Sequence, residues 1–408
     1  KTVAVGHDAR LSSPKLFEAL IKGLLEQGSD VVSLGQISTE IHYFASGYYN
    51  FPVNVIVSAS HNPAEYNGLK IVKQGVIPLN GNLGLPEIKE IAEKQVFPKN
   101  IKKGHMTHKN ITENWIKHAL SLINIKKIKS LKVVIDAGNG MGGLSWKLAE
   151  KKLPIRIIPL YFNPDGFFPN HLPDPLKKEN TIDLQKKIIE TKADLGFALD
   201  GDADRLFLLD ENGQRISGTI TTAMLSEFFL RKYGINNTIL YNVVCGRIVP
   251  ETVIKLGGKA IPVRVGHSFI KQHMKETNAI FAGEHSGHFY FRDNYFADSS
   301  FVTGLFLLEY LSNINKPVSK IAEKYNKYFE SGEINYGVTD VKKIMSLIEK
   351  RYQGKGSVSH IDGLSIDFPK WRFNLRSSKT EPLLRLNIEA INKKTVEKKI
   401  REITQMIV

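Results

Sequence analysis

The chain carries a short acidic stretch, Asp200-Gly-Asp-Ala-Asp-Arg205, in which carboxylates recur at every second residue. On an extended segment, residues i, i+2 and i+4 face one side in steps of about 7 Å. Asp200, Asp202 and Asp204 are therefore expected to point together. Carboxylates that close repel unless a cation sits among them, and oxygen-only ligands suit Mg²⁺ or Ca²⁺. An EF-hand register puts Glu211 at its twelfth position but Arg205, not glycine, at its sixth, and Leu206–Leu209 continues as strand. Mg²⁺ takes few protein ligands and pairs readily with phosphate oxygens, so a phosphate is expected at this loop.

Four further stretches could supply that phosphate and its carrier. The apolar run Val55–Val57 leads into Ser-Ala-Ser-His-Asn-Pro, ending at Pro63. Pro63 disfavours helix at Asn62, so the strand ends in a turn that exposes Ser60 and nearby N–H groups to an anion. In an extended chain His61 points away from Ser60, which argues against a serine–histidine hydrolase pair. In Gly-Glu-His-Ser-Gly-His (283–288), Glu284 and Ser286 can accept from and donate to neighbouring sugar hydroxyls. His285 and His288 have no third ligand at a zinc-like spacing. The segment Arg376–Arg385 gathers Arg376, Ser377, Ser378, Lys379, Thr380 and Arg385, the composition of a phosphate cradle. Arg10, just after the first apolar run, is another candidate anion contact. Gly138, Gly140 and Gly143 fit a dinucleotide fingerprint, but the following strand ends without an acid to hold a ribose. A tight packing turn accounts better for them.

Strands and helices must position these loops. An apolar run followed by a polar or glycine-containing turn and a helix-like segment occurs at "KTVAVGHDARLSS", "LKVVIDAGNGMGG" and "NTILYNVVCGR". Such alternation predicts α/β layers, here in three related domains. After "NINKPVSK" the pattern changes. "WRFNLR" and "LLRLNIEA" alternate apolar and polar residues, and Val396, Ile400, Ile403 and Ile407 form one helical stripe. A smaller α+β domain is expected there. The predicted boundaries are 1–110, 111–211, 212–325 and 326–408.

Composition limits the function classes. The net charge of +15 fits phosphorylated small molecules or an anionic surface, and no zinc-finger, helix-turn-helix or RNA-recognition signature supports nucleic acid. No apolar run reaches membrane length, so no membrane partner is expected. A single cysteine, Cys245, points to a reducing cytoplasm.

"SASHNP", "DGDADR", "GEHSGH" and "RSSKTEP", in this order, resemble the four signature loops of the α-D-phosphohexomutase superfamily, over nearly the whole chain. "VGHSFIK" and "FNLRSSKTEPLLRLN" resemble its phosphomannomutase/phosphoglucomutase group. The resemblance implies four domains around a central cleft: three related mixed α/β domains and a C-terminal TATA-binding-protein-like α+β domain. It implies that Ser60 carries a phosphoryl group and, with Asp200, Asp202 and Asp204, holds Mg²⁺. Glu284 and Ser286, flanked by His285 and His288, would grip the sugar. Arg376, Ser378, Lys379, Thr380 and Arg385 would hold the phosphate that is not reacting. Lys70 or His267 would move the proton, while His61, Arg10 and Arg205 support charge around the phosphoryl group. The substrates implied are phosphorylated hexoses, with a hexose 1,6-bisphosphate as intermediate and activator, acted on by a monomer or homodimer. Phosphoglucosamine mutase, whose group favours an "SGTEP" loop, is the enzymatic alternative. A non-catalytic polyanion-binding homologue is the other.

Three departures from the group stand out. The chain opens at Lys1, on the first strand, whereas members usually carry an earlier "YDIRG"-like turn, so a truncated chain is expected. Lys379 replaces the usual asparagine. Val244 aligns with a lysine found near the site in some bifunctional members, which weakens dual specificity.

Overall fold

The computed structural model describes residues 1–97, 102–378 and 383–407. Among these residues the strands form four sheets. The first contains β1 (Thr2–His7), β2 (Asp30–Gln36), β3 (Val53–Val57), β4 (Leu69–Lys73), β5 (Ile77–Pro78) and β6 (Met106–His108) in the order β5-β4-β3-β1-β2-β6. Helices α1 (Ser13–Glu26), α2 (Thr39–Tyr48) and α3 (Leu85–Lys94) belong to this unit. β1 pairs in parallel with β2 and β3. The Val-Ala-Val centre of β1 is buried on both faces, as a central parallel strand requires.

The second unit has α4 (Thr112–Ser121), α5 (Gly142–Ala149) and α6 (Ile182–Thr191) with β7 (Lys132–Asp136), β8 (Arg156–Leu160), β9 (Leu195–Leu199) and β10 (Leu206–Leu209). Its order is β10-β9-β7-β8, with β10 antiparallel. The third has α7 (Gly218–Tyr233), α8 (Ile248–Lys255), α9 (His267–Thr277), α10 (Ser300–Ile314) and α11 (Val318–Glu323). Its strands β11 (Thr238–Asn242), β12 (Lys259–Val263), β13 (Phe281–Gly283), β14 (Phe289–Phe291) and β15 (Ala297–Asp298) run in the order β12-β11-β13-β14-β15. In each unit a parallel strand delivers the chain to a turn and a helix, the recurrence read from the sequence.

The last unit is an antiparallel sheet of β16 (Phe329–Gly337), β17 (Ser357–Ser359), β18 (Leu364–Phe368), β19 (Trp371–Ser377) and β20 (Leu383–Ala390), in the order β16-β20-β19-β18-β17. Helices α12 (Val341–Tyr352) and α13 (Lys393–Ile407) pack with it, and Val396, Ile403 and Ile407 of α13 are buried. Two side chains depart from the alternating pattern. Asn374 and Glu389 are buried on the polar side of the sheet, where Asn374 donates to Asp362 O and Ser365 Oγ, each at 2.9 Å.

The cores divide unevenly. One apolar cluster runs from Ala4 and Phe44 through Trp115, Trp146 and Phe197 to Phe229 and Phe301, joining the first three units. The fourth keeps a separate cluster around Ile366, Trp371, Phe373 and Leu386. Polar contacts link it to the third. Arg372 donates to Cys245 O at 2.7 Å and Val243 O at 3.0 Å, and the Glu389 carboxylate accepts from Arg247 N at the start of α8. No described helix is long and apolar enough to cross a membrane.

Candidate active site

The serine loop follows β3, and its shape differs from the extended chain expected. Ser60 has φ +53°, a left-handed backbone that costs a non-glycine residue roughly 1–2 kcal/mol. That twist brings Ser60 Oγ within 3.3 Å of His61 Nδ1, instead of sending the two side chains apart. His61 is nonetheless an unsuitable base for Ser60. Its Nδ1 already accepts from Arg205 Nη2 at 2.7 Å, and burial, assisted by the Arg205 charge, lowers its pKa to about 3.

Arg10 holds the loop in this shape. Its guanidinium is fully buried and donates to Pro63 O (2.6 Å), Tyr66 O (3.1 Å), Ser60 O (2.7 Å) and Asn62 O (2.6 Å), with Asp8 at 3.3 Å from Nε. Arg10 has turned into the backbone of the serine loop and braces it from behind.

The acidic loop is a turn rather than an extended segment, because Ala203 takes φ +67°. Asp200 Oδ1 closes the turn by accepting from Asp204 N (3.0 Å) and Arg205 N (3.1 Å). Curling draws the three carboxylates tighter than alternation would, with one oxygen from each within 4.8 Å of the others. Ser60 Oγ lies 3.2 Å from Asp200 Oδ2, so the serine and acidic loops meet. The glycine-rich turn underlies both. A Cβ on Gly140 would lie 2.5 Å from Gly201 O, and one on Gly201 would lie 2.6 Å from Ser60 O. Three backbones stack there at a separation only glycine allows.

Burial and the charges of Asp204 and Asp202 drive Asp200 well above the usual carboxylate range. Burial and Asp204 also push Asp202 upward, but Lys70 and Thr39 overcome them and bring it below its ordinary value. Lys70 Nζ donates to Asp202 Oδ2 at 2.5 Å and Asp204 Oδ2 at 2.8 Å. Burial opposes the ammonium form of Lys70, yet the two aspartates outweigh it and raise its pKa well above the ordinary lysine value. Asp202 Oδ1 and Asp204 Oδ1 are buried without hydrogen-bond partners. Orphaned carboxylate oxygens are costly, and two of them beside Asp200 fit a hard divalent cation.

The loop Gly283–His288 lies across the acidic loop through a bridge between Arg205 and His288, with Leu206 N donating to Gly287 O at 3.0 Å. Glu284 is buried and oriented by Tyr290 OH (2.5 Å) and Asn242 Nδ2 (3.0 Å). His285 Nδ1 meets Thr219 Oγ1 at 2.9 Å, while Ser286 is half-buried on the same turn. His288, the last residue of this turn, faces two aspartates. Its Nδ1 lies 2.9 Å from Asp298 Oδ2 and 3.5 Å from Asp204 Oδ1, so the ring backs the acidic loop. Behind it, Lys271 Nζ pairs with Asp298 at 2.7 Å, both fully buried, and His267 Nδ1 is 3.4 Å from Lys271. Burial, then Lys271, lowers the His267 pKa to about 3, leaving a neutral imidazole.

In the last unit, Arg376 and Arg385 stand opposite each other on β19 and β20, and Arg385 Nη2 lies 3.4 Å from Ser378 Oγ. Lys379 and Thr380 lie outside the described residues.

Sequence reasoning missed Thr39, the Lys271–Asp298 pair and the Asn242–Tyr290 support of Glu284. Thr39 Oγ1 donates to Asp202 Oδ2 at 2.5 Å and Thr39 N to Asp202 O at 3.0 Å, across 163 positions. Its local signal was Ser38-Thr39-Glu40 at a helix start, which reads as a cap.

Family models agree with this architecture. Residues 1–99, 113–213 and 212–328 match the phosphoglucomutase/phosphomannomutase alpha/beta/alpha domains I, II and III. A phosphomannomutase of Vibrio cholerae is 40% identical, with the alignment covering 100% of this chain and 90% of that relative. The chain belongs to the phosphoglucomutase/phosphomannomutase family. A family member from Burkholderia thailandensis has a crystal structure that matches with a TM-score of 0.89 at 31% identity, covering 100% of this chain and 88% of that one. The fold extends to Aspergillus fumigatus N-acetylphosphoglucosamine mutase, solved with GlcNAc-6P and magnesium, at a TM-score of 0.63 and 14% identity over 90% of this chain and 91% of that one. As a phosphoglucomutase/phosphomannomutase family member with phosphomannomutases among its relatives, the chain is an enzyme of the isomerase class.

Proposed function

We propose that the chain is a Mg²⁺-dependent phosphohexomutase that interconverts hexose 1-phosphate and hexose 6-phosphate, with mannose and also glucose as the sugar. Ser60 carries the phosphoryl group, and a hexose 1,6-bisphosphate is the intermediate. The observation that carries this reading is Ser60 Oγ at 3.2 Å from Asp200, beside two buried aspartate oxygens without hydrogen-bond partners.

Asp200, Asp202 and Asp204, with an oxygen on Ser60, would hold Mg²⁺. Bound there, the ion would neutralise charge on the phosphoryl oxygens during in-line transfer. The sugar hydroxyl forms a bond to phosphorus as the bond to Ser60 Oγ breaks. After the bisphosphate turns end for end, its other phosphate returns to Ser60. Arg205, beside Asp200 and Asp204 and bonded to His61, supports charge at this point. Arg10 keeps Ser60 aimed at the acidic loop. Lys70, held as an ammonium, suits donation to a departing oxygen; accepting the hydroxyl proton requires a neutral group, and His267 is neutral. Glu284 and Ser286 hold sugar hydroxyls, while Arg376, Ser378 and Arg385 hold the distal phosphate, so remote binding energy aligns the reacting end.

A coupled assay should compare mannose 1-phosphate, glucose 1-phosphate and glucosamine 1-phosphate, primed with glucose 1,6-bisphosphate. Turnover of the first two, and loss of both turnover and the phosphopeptide adduct in Ser60→Ala, is expected. Comparable turnover by that variant rejects the donor role. Preference for glucosamine 1-phosphate selects the alternative mutase.

A further inference from the structure

The paired arginines of the last unit already share an anion supplied by the chain. Arg376 Nη2 lies 2.6 Å from Glu333 Oε2, and Arg385 Nη1 lies 3.2 Å from Glu333 Oε1. One carboxylate therefore bridges two guanidinium groups with one oxygen each. The side chains are 14%, 27% and 26% exposed for Arg376, Arg385 and Glu333, so water retains access to the contact.

Strand geometry places Glu333 there. On β16 it faces Asn387 of β20, two residues beyond Arg385 on the same face, and Asn335 faces Arg385. The pairing of β16 with β20 shifts register between Glu330 and Glu333, where Gly332 takes φ +70°. Such a bulge re-aims the side chains that follow it. Ser331 Oγ fastens it by accepting from Ile388 N at 2.9 Å. Arg376 Nε is buried without a hydrogen-bond partner, so this guanidinium retains a donor beyond its Glu333 contact.

We propose that Glu333 is a built-in competitor for the distal phosphate: its carboxylate occupies the two arginines between ligands, yields them to phosphate, and re-engages them when phosphate leaves. This rests on the reading of Arg376 and Arg385 as holders of the non-reacting phosphate. The mutase cycle requires that grip to be released, because the bisphosphate must detach one end and present the other. A departing phosphate loses its attraction to both arginines, and the returning carboxylate offsets part of that loss. Glu333 thus sets the lifetime of the distal grip. It lowers ground-state affinity and speeds turning of the intermediate.

The test is Glu333→Gln, which keeps size and an acceptor oxygen but removes the charge. Titration calorimetry with inorganic phosphate at fixed ionic strength is expected to show about 3- to 5-fold tighter binding, the upper scale of a partly exposed ion pair. In turnover, KM for the hexose phosphate and kcat should fall together, because release is slowed. Glu330→Gln removes the same charge three residues earlier, on a side chain with no arginine contact among the described ion pairs, and should change phosphate affinity less than about twofold. Unchanged or weaker phosphate binding by Glu333→Gln overturns the proposal, as does equal tightening by Glu330→Gln. Arg376→Gln tests the underlying reading separately: phosphate binding as tight as in the unsubstituted protein removes the cradle itself. Thermal melts of each variant establish that it is folded.

Discussion

Substituting Arg10 by lysine separates bracing from phosphate contact. Four carbonyls in the serine loop accept from its guanidinium, and Asp8 lies 3.3 Å from Nε. Lysine preserves the charge but offers three donors from a single nitrogen, without the planar fork. At least one of the four carbonyls then loses its donor, and the geometry around Asp8 changes too. A buried acceptor left unpaired costs about 1–3 kcal/mol, so roughly 2–5 kcal/mol is expected for the whole change. The strained turn at Ser60 loses its restraint as well, and the loop should relax toward an ordinary backbone. Hydrogen-exchange mass spectrometry on peptides spanning 58–66 is expected to show lost protection in Arg10→Lys, with a matching drop in phosphoserine formation. A direct phosphate ligand behaves otherwise: lysine would raise KM and leave exchange in the loop unchanged. That second pattern would refute the bracing role.

Four further perturbations test the same structure. Thr39→Val removes the hydroxyl donor to Asp202; it should raise the Mg²⁺ concentration for half-maximal turnover by about 10- to 100-fold, read from a metal titration, as losses of outer-sphere support do. Asp202→Asn should make turnover insensitive to added Mg²⁺, and chelation of the unsubstituted enzyme should abolish turnover reversibly. Glu40 is buried between three units, accepts from Ser299 Oγ (2.6 Å), Phe301 N (3.1 Å) and Ser145 Oγ (3.1 Å), and has its pKa raised by burial from 4.5 to about 7. Its protonated form favours the folded state. That contribution is complete below pH 4.5, fades as pH rises to about 7, and amounts to about 3 kcal/mol. Urea titrations should therefore show the stability difference between the unsubstituted protein and Glu40→Gln shifting by that amount, in favour of the variant, from pH 5 to pH 8. A difference independent of pH would contradict the raised pKa.

Much of this architecture was legible because local rules governed it. Apolar runs ending in Gly-, Ser- or Pro-containing turns mark the parallel strands and their loops, and the stripe at Val396, Ile403 and Ile407 marks α13. The loops carrying Ser60, Asp200 and Glu284 could be named because side-chain chemistry is written directly in residue type. Their directions could not. Alternation along an extended chain misled at Ser60, which itself takes a left-handed backbone; at Asp200, Asp202 and Asp204 it gave the convergence but not the turn at Ala203 that tightens it. Arg10 reads as an anion contact because nothing local shows that its guanidinium is used 50 and 53 positions away. Thr39, Asp298 and Glu333 were silent for the same reason: a capping threonine, an aspartate before two serines and a strand glutamate acquire their roles only from partners distant in the chain.

The division of the cores carries a mechanical implication. Three units share one body of hydrocarbon and must stay registered, whereas the fourth meets its neighbour through guanidinium, carboxylate and carbonyl groups that water can replace. Tipping that quarter outward would expose little oil, so it should hinge on a seam already compatible with solvent. Scanning calorimetry should accordingly resolve two melting events, the smaller belonging to residues after Phe329. A guest with a phosphate at each end could then turn over in a jaw that loosens on one side only, while the side bearing the serine keeps its aim.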